Sequence, residues 1–373
     1  MNKKKTSILY IVSTLRNTGP TNQLMGIIKN LDKNIYTPKI LTLSPEPTDS
    51  RFDEFEKLVI QIECLELSRI AMVLKGKKKL ISIVDSMKPD LIHTSGIRAD
   101  MYAYKYLSNC KSICTVRNYA YDDYPVKFGK LKGTLFAYQH IKTLKTLKNV
   151  ICCSNAISEK LFTKHQIKSK AVQNGIDIKH YIPTQKENKK KLKEELGLNP
   201  NKITYISVGS LIDRKDPVTL IKGFEMAKIG ENAELIMLGD GYLFDECNQH
   251  SSDLIKLKGQ VENVNEYLKA ADVFVSTSKS EGLPNAVLEA MGAGLPLLIS
   301  NIEPHKEIFE RCPHIGKLYP IYNQKELVKA IISFTHLDLI EMGKKSRQTV
   351  EEFFSSEVMS KSYQKIYKSI TER

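Results

Sequence analysis

"DVFVSTSKSEGLPNAVLEAMGAGLPLLIS" occupies residues 272–300. Within its first seven residues, "DVFVSTS", the unbroken apolar run Val273–Val275 without strict alternation is the pattern of a strand buried on both faces. "KSEG" reads as the turn after that strand. Pro284 suits the first helical turn, where its missing N–H is no loss, and "NAVLEAM" continues as a short apolar helix. "LPLLIS" is a second buried strand. Strand, helix and strand in this order predict a parallel sheet covered by helices.

The same alternation runs through the chain. "SILYIVSTL", "KILTLS", "LVIQIECL", "DLIHTS", "SICTV" and "NVICCS" are strand candidates in the first half. "KITYISVGS", "AELIMLGD", "LIKLKG", "DVFVSTS" and "LPLLIS" are those of the second. Helical stretches follow, such as "TNQLMGIIKNL" and "PVTLIKGFEMAKI". Two such series predict two doubly wound α/β domains, which suits a chain of 373 residues. The polar stretch 181–202 reads as the junction, with a short helix in it ending at Gly197. This places one domain at 1–182 and the other at 183–354. The last segment, about 355–373, has apolar residues at helical spacing (Val358, Met359, Tyr363, Ile366, Tyr367, Ile370), a face that packs on something.

Composition is that of a globular protein, 42% apolar and 26% charged. No apolar run reaches the roughly 18 residues of a membrane span. Ser7–Leu15 is short, β-branched and followed by "RNTGPTNQL" rather than a cleavage site, so it reads as a first strand and not a signal peptide. The seven cysteines are scattered without metal-binding spacing, which points to a reducing cytoplasm. Residues 1–182 carry 30 Lys and Arg against 15 Asp and Glu, and the rest carries 26 against 27. The first half alone is basic. That asymmetry suggests an anionic partner, with plain solubility as the alternative. In 125–148, Lys127, Lys130, Lys132, Lys142, Lys145 and Lys148 interleave with Phe128, Leu131, Leu135, Phe136, Ile141 and Leu144. With "KGKKK" at 75–79, this makes an anionic membrane surface one candidate partner, beside the reading of an ordinary helix with a core face and solvated lysines. No nucleic-acid motif accompanies the charge.

In open α/β sheets, ligands bind beyond the carboxyl ends of the strands. Several unusual residues fall there. "SVGSLIDRKDP" (207–217) places Arg214 and Lys215 before a helix start, a site for a phosphate group or else a solvated basic turn. "MLGDGY" (237–242) and "KGQVEN" (258–263) are glycine turns, while "QNGIDIKHYIP" (173–183) places Asn-Gly after a short strand, which a simple turn explains. The helix start at Pro284 presents free N–H groups and the positive end of its dipole, which suits a diphosphate. Glu281 precedes that helix, where capping it is the alternative role. Glu289 lies on its otherwise apolar body. An acid there is costly unless paired. Sugar hydroxyls would pair with it, and a buried Lys or Arg would serve as well.

"NGID", "VGSLIDRK", "LGDG", "GQV" and "EGLPNAVLEAMGAGLPLLIS", in this order along the chain, resemble the E-x7-E retaining glycosyltransferases of family 4 (glycosyl transferases group 1). The likeness spans nearly the whole second half. The first half resembles the family only in its βα pattern, the turn "NTGPTNQL" and the final helix. The resemblance implies the GT-B fold, two Rossmann-like domains facing a central cleft, with the final helix crossing back to the first. It implies an N-terminal acceptor domain (1–182 plus about 355–373) and a C-terminal donor domain (183–354).

The roles it implies fall on particular residues. Glu289 binds the ribose hydroxyls of a nucleotide. Glu281 contacts the transferred sugar, and the backbone N–H groups of Gly282, Leu283, Pro284's neighbours and Asn285 its hydroxyls and phosphates. Lys215 neutralises the diphosphate. Ser210 stands where the family often has Arg, and Arg214 compensates. Gly259, Gln260 and Val261 face the base through backbone groups, and Gly19 lets a first-domain loop approach the phosphates. Many members have a histidine where this chain has Arg117 and Asn118, so these become acceptor-binding candidates, with His93 a third. A salt bridge to Asp122 or Asp123 is the alternative for Arg117.

The implied activity is retaining transfer of a hexosyl or N-acetylhexosaminyl group from a nucleotide sugar, by default a UDP-sugar. The acceptor would be a cell-surface polysaccharide or lipid-linked glycan. No cofactor is obligatory, and the absence of an Asp-x-Asp motif agrees with metal independence. The expected place is cytoplasmic, peripheral on the inner face of the membrane. Three rival activities compete with this one. A retaining glycosidase needs its carboxyls about 5–5.5 Å apart, and a helix start separates Glu281 from Glu289. The second rival is a nucleotide-sugar epimerase of similar fold, and the third is a non-catalytic sugar-nucleotide-binding subunit.

Overall fold

The structure is a computed structural model that describes residues 4–67 and 69–372. The Lys75 side chain of the 75–79 basic run lies outside the described residues. The chain forms two compact units: Met1–Gly175 together with Ser356–Arg373, and Ile176–Ser355.

Among the described residues the first unit has seven parallel strands: β1 (Thr6–Val12), β2 (Tyr36–Thr42), β3 (Gln61–Cys64), β4 (Leu91–Ser95), β5 (Ser112–Val116), β6 (Val150–Cys152) and β7 (Lys170–Ala171). Their order is β3-β2-β1-β4-β5-β6-β7. The second unit has β8 (Ile203–Val208), β9 (Ala233–Leu238), β10 (Ile255–Gly259), β11 (Val273–Ser276), β12 (Leu297–Ser300) and β13 (Gly316–Tyr319). Their order is β10-β9-β8-β11-β12-β13. Each sheet reverses direction once, between β1 and β4 and between β8 and β11. In doubly wound sheets that reversal opens a crevice beyond the strand ends. β13 was not expected, because "GKLY" has no apolar run; β7, two residues long, is the short strand read before "QNGID".

The central strands are buried on both faces, as unbroken apolar runs require: Leu9, Ile40, Leu91, Ile206, Leu235, Val275 and Leu298 are all fully buried. The final helix, Ser356–Thr371, belongs to the first unit and lies against the helix Gly19–Lys29. Met359, Tyr363 and Tyr367 supply its buried face.

The stretch 181–202 is not a free linker. Its helix, Lys186–Glu195, ends before Gly197, which adopts φ 69°. Lys189 and Lys193 reach Asp272 at 3.1 and 2.5 Å, tying the helix to the start of β11. The unit boundary accordingly falls at 175/176, seven residues before the expected 182/183. Likewise the basic run 125–148 is two helices, Ala120–Phe128 and Lys130–Leu144, split at Gly129 with φ 81°.

Candidate functional site

The turns after β8, β9 and β10 are sewn to one another. Gly209 N donates to Leu238 O (2.9 Å), Leu211 N to Asp240 O (2.9 Å) and Gly239 N to Gly259 O (2.7 Å). The closeness dictates the residue type. A Cβ on Gly239 would lie 2.0 Å from the Gly209 carbonyl oxygen, and its φ of +134° already disfavours other residues. A Cβ on Gly209 would meet the Lys215 side chain at 3.5–3.8 Å, so that lysine lies over the β8 turn.

The loop 212–216 is fastened to the turn after β11. Thr277 Oγ1 donates to the carbonyls of Lys215 (3.0 Å) and Asp216 (2.8 Å), and Lys279 N donates to Arg214 O (2.8 Å). Asp216, just before the helix Pro217–Ala227, sits in the left-handed region at φ 54°, a conformation Asp tolerates better than most residues. Its carboxylate pairs with Lys279 at 3.0 Å.

These fastenings bring both cations onto Glu281. Lys215 Nζ donates to Glu281 Oε1 at 2.5 Å and Arg214 Nη1 to Oε2 at 3.0 Å. Arg214 Nη1 also reaches Ser280 O (2.6 Å), and Ser278 Oγ donates to Glu281 Oε1 (2.8 Å). The Glu281 side chain is only 7% exposed. Burial alone would raise its pKa. Lys215 and Arg214, with the hydrogen bonds from Lys215 and Ser278, outweigh burial and hold the carboxyl down to about 2. Glu281 therefore does not cap the next helix. It is the counter-ion of the two cations, and the trio keeps one net positive charge.

The helix itself runs Asn285–Gly292, with Pro284 one residue earlier than expected, at the N-cap. Gly282, Leu283 and Pro284 are buried and Asn285 is half-buried. Glu289 sits on this helix and meets a tyrosine rather than a Lys or Arg. Burial pushes its carboxyl up to about 7, against the hydrogen bond from Tyr181 and the field of Lys215. Two carboxyls on one wall thus differ widely in acidity because one meets cations and the other a phenol. Gly259 and Val261 are half-buried, while Ser210 and Gln260 are exposed.

The candidates in the first unit fare differently. His93 is a correction: it contacts no solvent-facing site, being 3% exposed with both ring nitrogens engaged. Nδ1 meets Tyr367 Oη at 2.9 Å and Nε2 meets Thr115 Oγ1 at 2.7 Å. Thr115 Oγ1 in turn meets Tyr363 Oη at 2.9 Å, so His93 locks the final helix to the sheet. Burial, helped by Arg117, pushes its pKa down to about 3. Arg117 does not pair with Asp122 or Asp123, which bind Lys160 and Lys127. Its Nη1 donates to Asn174 Oδ1 at 2.7 Å, beyond the carboxyl end of β5, and its buried Nε has no partner among the described residues. Asn118 is half-buried next to it. Gly19 is the first residue of the helix after β1.

Sequence reasoning missed Tyr181, the partner of Glu289, and His305, described below. A tyrosine in a polar stretch and a histidine in "NIEPHKEIF" carry no spacing signal. Among the described residues no group of three or more His, Cys, Asp or Glu could hold a metal ion, and no helix is long and apolar enough to cross a membrane.

Two parallel Rossmann-like units of this kind define a GT-B glycosyltransferase fold. Residues 188–352 match the model of the glycosyl transferases group 1, and residues 18–180 that of glycosyltransferase family 4. The chain is 31% identical over 278 residues to an Escherichia coli UDP-Gal:alpha-D-GlcNAc-diphosphoundecaprenol alpha-1,3-galactosyltransferase, covering 68% of each chain. It is 27% identical over 319 residues to the Staphylococcus aureus capsular polysaccharide biosynthesis glycosyltransferase CapH, covering 81% of this chain and 83% of that one. Anabaena HepE, solved in complex with UDP and glucose, superimposes with a TM-score of 0.79 at 18% identity, over 98% of this chain and 100% of that one. The chain belongs to the group 1, family 4 glycosyltransferases.

Proposed function

We propose that this chain is a retaining, metal-independent glycosyltransferase. It moves a hexosyl or N-acetylhexosaminyl group from a UDP-sugar to a cell-surface polysaccharide or lipid-linked glycan precursor. The observation that carries the reading is the convergence of Arg214 and Lys215 on Glu281 beside the stitched glycine turns. The departing nucleoside diphosphate develops negative charge, and the net cation of this trio together with the helix start at Asn285 stabilises it electrostatically. Glu281 keeps the two cations oriented. Oε1 already accepts two hydrogen bonds and Oε2 one, which leaves Oε2 one acceptor position for a hydroxyl of the transferred sugar. Glu289 takes the ribose hydroxyls, and Gly259, Gln260 and Val261 face the base. Attack comes from the face the diphosphate leaves. The relatives support the donor and acceptor classes: one is named for UDP-Gal and a diphosphoundecaprenol acceptor, and one neighbour was solved with UDP and glucose.

The first unit carries the acceptor, with Arg117 and Asn118 beyond the end of β5 as its contacts. A lipid-linked acceptor fits the surface of the helices Ala120–Phe128 and Lys130–Leu144. Leu131, Leu135 and Tyr138 are 89%, 54% and 58% exposed, among exposed Lys127, Lys130, Lys132 and Lys142. Apolar side chains ringed by lysines suit the anionic inner face of a cell membrane.

A thermal-shift screen of nucleotides and nucleotide sugars tests the site. UDP and one UDP-sugar should stabilise the protein, and Lys215→Ala and Glu289→Ala should abolish turnover. No stabilisation, with both variants fully active, defeats the assignment. Sedimentation with liposomes tests the surface: binding should require anionic lipid and fall in Leu131→Ser/Leu135→Ser. Equal recovery with neutral and anionic vesicles refutes it.

A further inference from the structure

Behind the cluster of Arg214, Lys215 and Glu281 lies a second polar layer that the reaction above does not use. His305, on the helix Glu303–Phe309 after β12, is fully buried. Its Nδ1 lies 2.7 Å from the Ser300 carbonyl oxygen and 3.2 Å from Ser300 Oγ. Ser300 Oγ donates to Ser278 O at 2.6 Å. Ser278 Oγ donates to Glu281 Oε1 at 2.8 Å, on the oxygen that also receives Lys215.

The directions of these bonds are forced. A carbonyl can only accept, so Nδ1 carries the proton and donates to Ser300 O. The Ser300 proton is committed to Ser278 O, so Ser300 Oγ accepts a share of the same Nδ1–H. Burial pushes the imidazole down to about 4, so the ring is neutral and Nε2 is an acceptor. That Nε2 is buried and has no partner among the described residues. A residue present only to fill space would be apolar, since burying an unpaired acceptor is unfavourable. An imidazole is retained there at a cost, so the bond made by Nδ1 is the part with a use.

We propose that His305 is the positioning residue of the diphosphate clamp. It pins Ser300 at the end of β12, Ser300 pins the carbonyl of Ser278, and Ser278 orients Glu281. Glu281 then holds Lys215 and Arg214 at the distance a diphosphate needs. His305 touches neither substrate nor leaving group, and it acts through two serines. The proposal rests on the reading of Arg214 and Lys215 as that clamp.

The experiment measures dissociation constants of uridine, UMP and UDP by calorimetry for the full chain, for His305→Leu and for His305→Asn. Asn can place an amide N–H where Nδ1–H stands but offers nothing at Nε2. Wild type should bind UDP more tightly than UMP. His305→Leu should lose about tenfold of that gain, the size of one hydrogen bond, with uridine affinity unchanged. His305→Asn should restore it. An unchanged preference for UDP over UMP in the Leu variant overturns the proposal. So does an equal loss for uridine and UDP, which marks a packing role only, and so does failure of Asn to restore what Leu removes. If wild type itself shows no preference for UDP over UMP, the clamp reading falls and the proposal with it.

Discussion

Glu289 makes the ligand-free protein less stable as the pH rises. Its folded pKa is about 7 against a usual 4.5, so the folded protein keeps a proton that the unfolded chain has released. Stability therefore falls between about pH 4.5 and pH 7 and levels off above that window. One pKa unit corresponds to about 1.4 kcal/mol, giving roughly 3 kcal/mol in all. The residue is half-buried, and solvent screening trims this to about 2 kcal/mol. Glu289→Gln is neutral throughout. At pH 8 it should melt higher than wild type by about 4–8 °C, at about 2–4 °C per kcal/mol for a unit of this size. At pH 5 the two should converge. UDP should act in the opposite sense. Ribose hydroxyls donate to a carboxylate and favour its charged form, so binding near pH 7 should release a proton. Calorimetry in phosphate and in Tris reads that proton as a buffer-dependent enthalpy. A Glu289→Gln variant no more stable than wild type at pH 8, with UDP binding independent of buffer, refutes the reasoning.

Glu281→Gln removes the counter-charge of Arg214 and Lys215 and should cost about 2–3 kcal/mol in thermal or urea unfolding at pH 7. The same carboxyl, held down to about 2, stabilises the folded chain above about pH 4.5, and this contribution is lost as the pH falls toward 2. Gly239→Ala drives a methyl into the Gly209 carbonyl at 2.0 Å, and nucleotide affinity should drop sharply in titration calorimetry. His93→Phe leaves Tyr367 and Thr115 without their shared partner and should cost about 2–4 kcal/mol in unfolding experiments, while UDP affinity stays at the wild-type value.

The fold was legible because its strands are central and parallel, which forces unbroken apolar runs such as "LIML" (235–238) and "VFV" (273–275). The edge strand Gly316–Tyr319 was not, since "GKLY" carries no such run. Glu281, Arg214 and Lys215 stood out in the sequence because each follows a strand, and Glu289 because it is an acid on an otherwise apolar helix. Their mutual arrangement did not. Nothing in spacing says that Glu281 binds Arg214 and Lys215 directly, or that the partner of Glu289 is a tyrosine over a hundred residues upstream. His93 misled for a related reason. A histidine in "DLIHTSG" reads equally as a ligand and as a core residue, and its place in the middle of β4 against the tyrosines at 363 and 367 decides between them.

Those tyrosines have a consequence for how the chain is made. The first unit is closed by residues near the carboxyl terminus: Tyr363 and Tyr367 are fully buried, Ser360 Oγ bonds to Ile27 O, and Tyr36 Oη bonds to Gln364 O. A nascent chain leaving the ribosome has all seven strands of that unit long before it has the helix that seals them. The second unit, continuous from Ile176 to Ser355, can be complete while the first still exposes His93, Tyr10 and the apolar face of Gly19–Lys29. Synthesis order and folding order are thus inverted. The earlier-made unit waits open for the helix Ser356–Thr371, and a chain that stopped before Ser356 would have the second unit complete and the first without the helix that closes it.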